Sequence, residues 1–378
     1  MVARIRAGLA NSPITALLGP RQSGKTWLAA PFASPPQNLF DLQKLLDRAR
    51  LEDSNFQALD GLEGVVVIDE AQAKPELFLK LRVLADRPQS RTRFLITGSA
   101  SPDLVKGLSN NLVGRVRLLP LSGFNAEEVG WENRDKLWLR GGFPPSYLHE
   151  LEGESLDWRL DYIDEILWRD LPVHPEAHMT DEQRRRLVQL LAHKHGQYWN
   201  HSEAAEILGV SYKTIQRHIE MLKGVHILRE LPPFHVNIQK RLRKAPKLYL
   251  RDSGLLHALL LIRDHSALSA HPALGPSWEG FCIEQIISLT GAREQQCFTW
   301  SVQSGPEVDL VLTSKNGLFG FECKASDAPR LKSTMITAVK DLDLTKLFVI
   351  YPGELNYALG DRIEAVGFSK LPQIIPLL

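Results

Sequence analysis

The sequence predicts an α/β chain in three parts: a parallel-sheet domain over residues 1–150, a helical segment over 151–238 and a second α/β domain over 239–378. Short apolar runs at Ile14–Leu18, Val65–Ile68 and Phe94–Thr97 each end in turn or polar chemistry, as buried parallel strands do. Apolar residues then recur at helical spacing through Leu156–Leu167, Arg184–Leu191 and Ser202–Leu208, until Pro232-Pro233 breaks the pattern. Strand signals return at Lys247–Leu250, Glu307–Leu312, Leu318–Cys323 and Lys346–Tyr351, around a helical pattern at Trp278–Leu289.

Composition limits the function classes. The 378 residues suit two or three domains, and 44% apolar with 24% charged residues is a globular balance. No stretch reaches the ~18–20 apolar residues of a membrane span. Met1–Gly19 carries no long apolar core or cleavage signal, so a cytoplasmic protein is expected. Cys282, Cys297 and Cys323 form no CxxC pair and no disulfide framework. The net charge is +1, yet residues 181–250 hold 13 Lys and Arg against 6 Asp and Glu. That segment carries +7 and leaves −6 elsewhere, which points to a nucleic-acid contact or to a solvated basic face.

Gly19-Pro20-Arg21-Gln22-Ser23-Gly24-Lys25-Thr26 matches GxxxxGK[ST] after a predicted strand and before a predicted helix. Glycines let backbone N–H groups turn inward around phosphate, and a helix start adds positive potential. Lys25 then reaches the β- and γ-phosphates, and the Thr26 hydroxyl ligates Mg²⁺. In Val65-Val66-Val67-Ile68-Asp69-Glu70 an apolar strand ends in two carboxylates, which is costly unless something binds them. Asp69 is expected to hold Mg²⁺ and Glu70 to polarise the attacking water. Phe94–Ser99 ends in hydroxyls, so Thr97 or Ser99 is expected near the γ-phosphate or its water, unless these are satisfied strand-end hydroxyls. Arg115 is open to two readings, an arginine finger toward a neighbouring subunit or an ordinary ion pair.

These segments resemble bacterial and archaeal AAA-type ATPases, which carry GPRQSGKT, VVVIDEAQ, FLITGSAS and GRVRLLPLSGF in this order. Arg140-Gly141-Gly142-Phe143-Pro144 and Trp168-Arg169-Asp170-Leu171 look like the same family. The resemblance implies a parallel-sheet P-loop ATPase domain, ATP and Mg²⁺ as cofactors, and a C-terminal region related to restriction-endonuclease folds. No NKxD-type guanine motif occurs.

Ser202–Ser211 followed by Tyr212–Leu222 reads as a helix-turn-helix, with helices capped by Ser202 and Ser211. Ala205, Leu208, Ile215, Ile219 and Leu222 form its apolar seam, and Val225–Leu231 suits a strand of a wing. Lys213, Thr214, Gln216 and Arg217 then face outward as DNA-contacting residues. Lys240, Arg241, Arg243 and Lys244 add cations suited to phosphate. The alternative is a winged helix that docks protein or serves only as a lid.

The last candidate is D-x12-E-x-K over two strands. Asp309 pairs across from Glu322 and Lys324, so two carboxylates can hold a divalent cation and the lysine can activate water. Glu279, on the preceding helix, would complete the metal shell. Asp309, Glu322 and Lys324 resemble the core motif of the PD-(D/E)XK nuclease superfamily, and Glu279 its helical acid. The acids are alternatively structural, or part of a domain that binds DNA without cutting. Cys323 should face the opposite way, into the core. His193 and His195 do not share a face, and Trp131, Trp138 and Trp158 read as packing anchors.

Together these residues predict an ATP-binding, Mg²⁺-dependent ATPase acting on DNA, with a possible nuclease domain, no membrane partner and possible self-association. The competing prediction is a nucleotide-controlled switch whose C-terminal domain binds a protein partner and cuts nothing.

Overall fold

The three apolar runs of the N-terminal part become neighbouring parallel strands. The computed structural model describes every residue except 53–55, 89–90, 100–101, 166–178, 236–242 and 304. Strands β1 (Ile14–Gly19), β2 (Leu39–Asp41), β3 (Gly64–Asp69), β4 (Thr92–Ser99) and β5 (Val116–Pro120) form one sheet in the order β2-β3-β4-β1-β5. Every pairing in it is parallel. All six residues of β1 are buried, as a strand covered on both faces requires. Helices α1 (Val2–Asn11), α2 (Lys25–Ala29), α3 (Leu45–Arg50), α4 (Leu77–Ala85) and α5 (Pro102–Asn111) complete this unit. One face packs Phe40, Phe78, Phe94 and Leu104, and the other packs Ile5, Leu17, Val67 and Leu95. β2 and β5 gave no sequence signal. β2 is three residues long, and β5 buries only Leu119 of its five.

The chain divides into two units, Met1–Gly123 with Gly224–His226 and Phe124–Lys223 with Ile227–Leu378. The first boundary therefore falls near 123 rather than 150, and no boundary is seen near 238. The second unit begins with α6 (Ala126–Val129), α7 (Arg134–Arg140), α8 (Pro144–Leu148), α9 (Glu152–Glu165) and α10 (Asp181–His193). Next come α11 (His201–Leu208), α12 (Tyr212–Gly224) and an antiparallel pair, β6 (Leu228–Leu231) with β7 (Lys247–Leu250). Three helices follow: α13 (Ser253–Leu259), α14 (His265–Ala270) and α15 (Leu274–Thr290). A six-stranded mixed sheet has the order β12-β13-β11-β10-β9-β8, from β8 (Cys297–Ser301), β9 (Glu307–Ser314), β10 (Gly317–Cys323), β11 (Lys346–Tyr351), β12 (Tyr357–Gly360) and β13 (Ile363–Gly367). α16 (Ser333–Leu342) and α17 (Leu371–Ile374) flank it.

One core spans this unit, joining Leu137, Trp138 and Tyr147 to Tyr249, Trp278, Phe321 and Phe368. That shared core is why the boundary moves from 150 to near 123, since Ala126, Leu137, Trp138, Leu139 and Tyr147 bury the same apolar surface as the C-terminal sheet. Trp131, Trp138 and Trp158 are packing anchors: Trp131 lies tilted against Phe368, Trp138 meets Trp278 edge to face, and Trp158 stacks on Tyr162. Arg140-Gly141-Gly142 is also structural. The Gly142 N–H donates to Asp252 at 2.7 Å, and a Cβ on Gly141 would lie 2.0 Å from that carboxylate. Arg159 is wholly buried and donates to the carbonyls of Ser155, Leu139 and Gly254 at 3.0–3.1 Å. Trp168–Leu171 lies outside the described residues.

Burial predicts an acid-sensitive second unit. His195 and His257 are buried, and desolvation pushes each pKa down to about 3. An unfolded imidazole titrates near 6.5, so below that pH the unfolded chain takes up protons that the folded one refuses. Their contribution is complete above pH 6.5 and is lost as pH falls toward 3, at up to about 1.4 kcal/mol per pH unit for each histidine. Glu279 works the other way. Burial and Asp309 push it up to about 7, so its stabilisation fades as pH rises through that value. The two histidines predict a lower Tm at pH 5 than at pH 7, partly offset by Glu279 and by Asp252 and Glu322, whose carboxyls burial also pushes up. His257→Asn lowers the Tm at pH 7 and narrows the gap between the two pH values; an unchanged gap would refute the assignment.

Candidate functional site

Residues Gly19–Thr26 join the end of β1 to the start of α2. Gln22 and Gly24 have φ of 59° and 87°, the left-handed turn that folds the loop back on itself. A Cβ on Gly19 would meet the Leu121 carbonyl oxygen at 2.2 Å, so only glycine fits there. Pro20 is buried, and Ser23 Oγ donates to its carbonyl at 2.8 Å. Ser23 thereby shapes the loop, and its oxygen is not presented outward. Lys25 Nζ donates to the Gly19 and Pro20 carbonyls at 3.2 and 2.7 Å, which holds a buried ammonium across the loop. Arg21, Gln22 and Thr26 are exposed.

The strand register brings the acids to the same sheet edge. Leu17 lies opposite Thr97, Gly19 opposite Ser99, and Ile68 opposite Ile96. The carboxyl-terminal ends of β1, β4 and β3 are therefore level, the edge where open parallel sheets bind ligands. Asp69 ends β3 and is 2% exposed. The Thr97 hydroxyl donates to Asp69 Oδ1 and accepts the Glu70 N–H at 3.3 Å. This corrects the expectation for Thr97. The residue is fully buried and its hydroxyl is engaged on both sides, so it ties the two acids together and is not presented at the sheet edge. Ser99 is half-buried beside Gly19, at the mouth of the loop.

Sequence reasoning missed Gln72. Its Nε2 donates to Glu70 Oε2, and it lies where a Cβ on Gly98 would come within 2.6 Å of its Oε1. Glu70 has φ of 57° and is half-buried, so Gln72 holds a carboxylate that the backbone turns out of the strand. The only signal was a side-chain amide two residues after the acid in Asp69-Glu70-Ala71-Gln72.

Of the two readings of Arg115, the structure contains the ion pair. Its guanidinium meets Asp86 with Nε at 2.5 Å and Nη2 at 2.8 Å, and Nη1 donates to the Val113 carbonyl at 2.9 Å. The residue precedes β5 and its carbonyl bonds the Ile14 N–H, which places it at the amino-terminal edge, opposite the loop. An arginine-finger role finds no support in this arrangement.

The residues present suit a nucleotide with its magnesium: a glycine-dependent loop, a lysine across it, an exposed threonine after it and a buried carboxylate on the adjacent edge. Lys25 would hold phosphate, Thr26 and Asp69 the cation, which supplies charge neutralisation on the phosphates. Residues 11–130 match the AAA domain family. This part of the chain is a P-loop ATPase domain. Residues 132–266 and 274–371 match two domains of unknown function, DUF8612 and DUF4143. "Uncharacterized protein Rv2008c" of Mycobacterium tuberculosis (strain H37Rv) is 43% identical over 370 residues, covering 98% of this chain and 83% of the relative. "Uncharacterized protein Mb2031c" of Mycobacterium bovis gives the same figures. The chain belongs to their family. Among solved structures, the Walker-type ATPase PABY2304 of Pyrococcus abyssi is 17% identical with a TM-score of 0.42, over 68% of this chain and 94% of that one.

Beyond its AAA domain, this family member pairs α11 and α12 about a turn at Gly209 with φ of 65°. Asn200, not Ser202, caps α11, accepting the Ser202 and Glu203 N–H groups at 3.0 and 3.4 Å. Ser211 accepts the Thr214 N–H at 3.1 Å and caps α12. Ala205, Leu208, Ile215, Ile219 and Leu222 are all buried in the seam. Lys213 and Gln216 are exposed and Arg217 is half-buried. Thr214 is a correction: it is buried, and its hydroxyl meets Ser211 Oγ at 2.9 Å, so it does not face outward. Lys247–Leu250, expected in the C-terminal domain, pairs instead with Leu228–Leu231. Arg243 and Lys244 are exposed, with the Arg243 guanidinium 4.7 Å from the Tyr198 ring centroid. Lys240 and Arg241 lie outside the described residues.

The C-terminal carboxylates do come together. Lys324 Nζ lies 2.9 Å from Glu322 and 3.9 Å from Asp309, whose Oδ2 accepts the Cys323 N–H at 2.9 Å. The Cys323 side chain is buried in the core, on the other side of the strand. Glu279 meets Lys247 Nζ at 2.9 Å and accepts from Tyr249 OH at 2.6 Å. The same Lys247 lies 2.5 Å from Glu307 and 3.7 Å from Asp309. Neither Lys247 nor Glu307 figured in the sequence reading of this site. Among the described residues no group of three or more His, Cys, Asp or Glu side chains is arranged to hold a metal ion. His195 is buried and accepts the Leu250 N–H at 3.1 Å, a packing role. No described helix is long and apolar enough to cross a membrane.

Proposed function

We propose that this protein is an ATP-hydrolysing switch that engages duplex DNA through α12 and the β6–β7 hairpin. The hydrolytic half rests on the AAA match and on Thr97 tying Asp69 to Glu70 beside the phosphate loop. Lys25 binds the phosphates, Thr26 and Asp69 the magnesium, and Glu70 takes a proton from the attacking water. What supports the DNA half is one observation: α12 buries Ile215, Ile219 and Leu222 against its seam while Lys213 and Gln216 stay in solvent behind a two-stranded wing. Arg243 and Lys244, just before β7, add exposed cations to the same segment. A helix so placed is suited to a major groove, with the wing near the phosphates.

The test is ATP turnover with and without single-stranded, duplex and branched DNA, together with DNA affinity across a salt series. Turnover stimulated by one DNA form is expected, with affinity falling steeply as salt rises. Lys213→Ala with Lys244→Ala weakens binding across all sequences and reduces the salt slope by about 2. Turnover and binding indifferent to DNA and salt would instead favour a nucleotide-controlled switch that docks a protein.

A further inference from the structure

In the C-terminal α/β part, the acids Glu279, Glu307 and Asp309 are joined by a residue that belongs to none of the motif's strands. We infer that Lys247 is the resident cation of this cluster, and that the cluster as folded takes up no divalent metal ion.

Position carries the inference. The Lys247 ammonium is buried and stands within 2.5–3.7 Å of Glu279, Glu307 and Asp309 at once. A divalent ion bound by those carboxylates needs their oxygens at about 2.0–2.6 Å around a shared centre. The lysine nitrogen already occupies that centre, and a second positive charge beside it is repelled.

Satisfaction of the remaining groups points the same way. Tyr249 OH caps the Glu279 oxygen, Cys323 N–H caps Asp309 Oδ2, and Lys324 pairs with Glu322. A metal would have to displace donors that are already in place.

Lys247 is also not free to withdraw. It sits on β7, paired through Leu231 to β6, and Trp199 N–H bonds the preceding Pro246 carbonyl at 2.8 Å. A buried ammonium that left its carboxylates would strand charge on both sides. The acids therefore fasten the β6–β7 hairpin to the six-stranded sheet, and metal-dependent cutting of DNA is not their chemistry.

The test uses Mn²⁺ as the probe on the nucleotide-free full chain, with bound ion counted by paramagnetic resonance. Wild type and Asp309→Asn are expected to bind the same number of ions. Lys247→Met, which keeps the stem and removes the charge, is expected to gain one Mn²⁺ that Lys247→Met with Asp309→Asn lacks. A wild-type ion released by Asp309→Asn overturns the inference, as does Mg²⁺-dependent plasmid cleavage lost in the same variant. A folded Lys247→Met that gains no ion overturns the role given to the lysine. Should Lys247→Met fail to fold, the comparison of wild type with Asp309→Asn decides alone.

Discussion

Glu70→Gln lowers ATP turnover by about two to four orders of magnitude while nucleotide binding is retained. The amide keeps the shape of the carboxylate but cannot accept a proton, so the loss falls on the chemical step. Binding is expected to reside elsewhere, in the loop that Ser23 and Lys25 brace through the Pro20 carbonyl. Lys25→Ala should therefore give the complementary result, with nucleotide affinity lost. Thr97→Val separates positioning from chemistry: it removes the hydroxyl that joins Asp69 to the Glu70 backbone and lowers kcat while leaving both acids in place. Steady-state turnover with a fluorescent-nucleotide titration reads all three variants. Turnover in Glu70→Gln equal to wild type would remove Glu70 from the mechanism.

The largest stability effect is expected at Glu284. Its carboxylate, on α15, pairs with Arg229 of β6 and with Arg251 just after β7, through Nη2 at 3.0 Å and Nε at 3.3 Å. Arg229 is 4% exposed and Glu284 9%. Glu284→Ala leaves two guanidinium groups without their shared counter-ion and costs about 3–5 kcal/mol. Replacing all three residues, with Arg229→Met, Glu284→Leu and Arg251→Met, costs far less, because no charge is stranded. Denaturant unfolding of the full chain distinguishes these outcomes; equal losses in the single and triple variants would contradict the account. Burial raises the Glu284 pKa, but Arg229 and Arg251 more than offset this and hold it below the ordinary value. Its stabilisation is thus present above about pH 4.3 and is lost as pH falls through the lower folded value.

Both candidate sites show how far local pattern reaches. The phosphate loop, the acidic strand end and the α11–α12 pair were legible because each is a contiguous stretch whose chemistry follows from its own spacing. Asp309, Glu322 and Lys324 were legible as a cluster because a hairpin turns within a few residues. Roles that depend on burial were not. Thr97 and Thr214 look like presented hydroxyls in sequence, and both face inward. Lys247 reads as the last cation of a basic run, and packing makes it the counter-ion of acids on other elements. Arg115 remained open between two roles until Asp86, on a different helix end, was beside it.

The sequence by itself determined that this chain has a parallel-sheet P-loop domain, where its phosphate loop and acidic strand end lie, and that a pair of helices about a glycine turn follows. Those features are local, and short spacings of glycine, apolar and charged residues suffice to specify them. Only the tertiary structure decided where the units divide, that residues 126–147 and the C-terminal sheet share one core, and that a lysine closes the carboxylate cluster. The physical reason is that burial and ion pairing are settled between residues far apart in the chain, by which faces must leave water together.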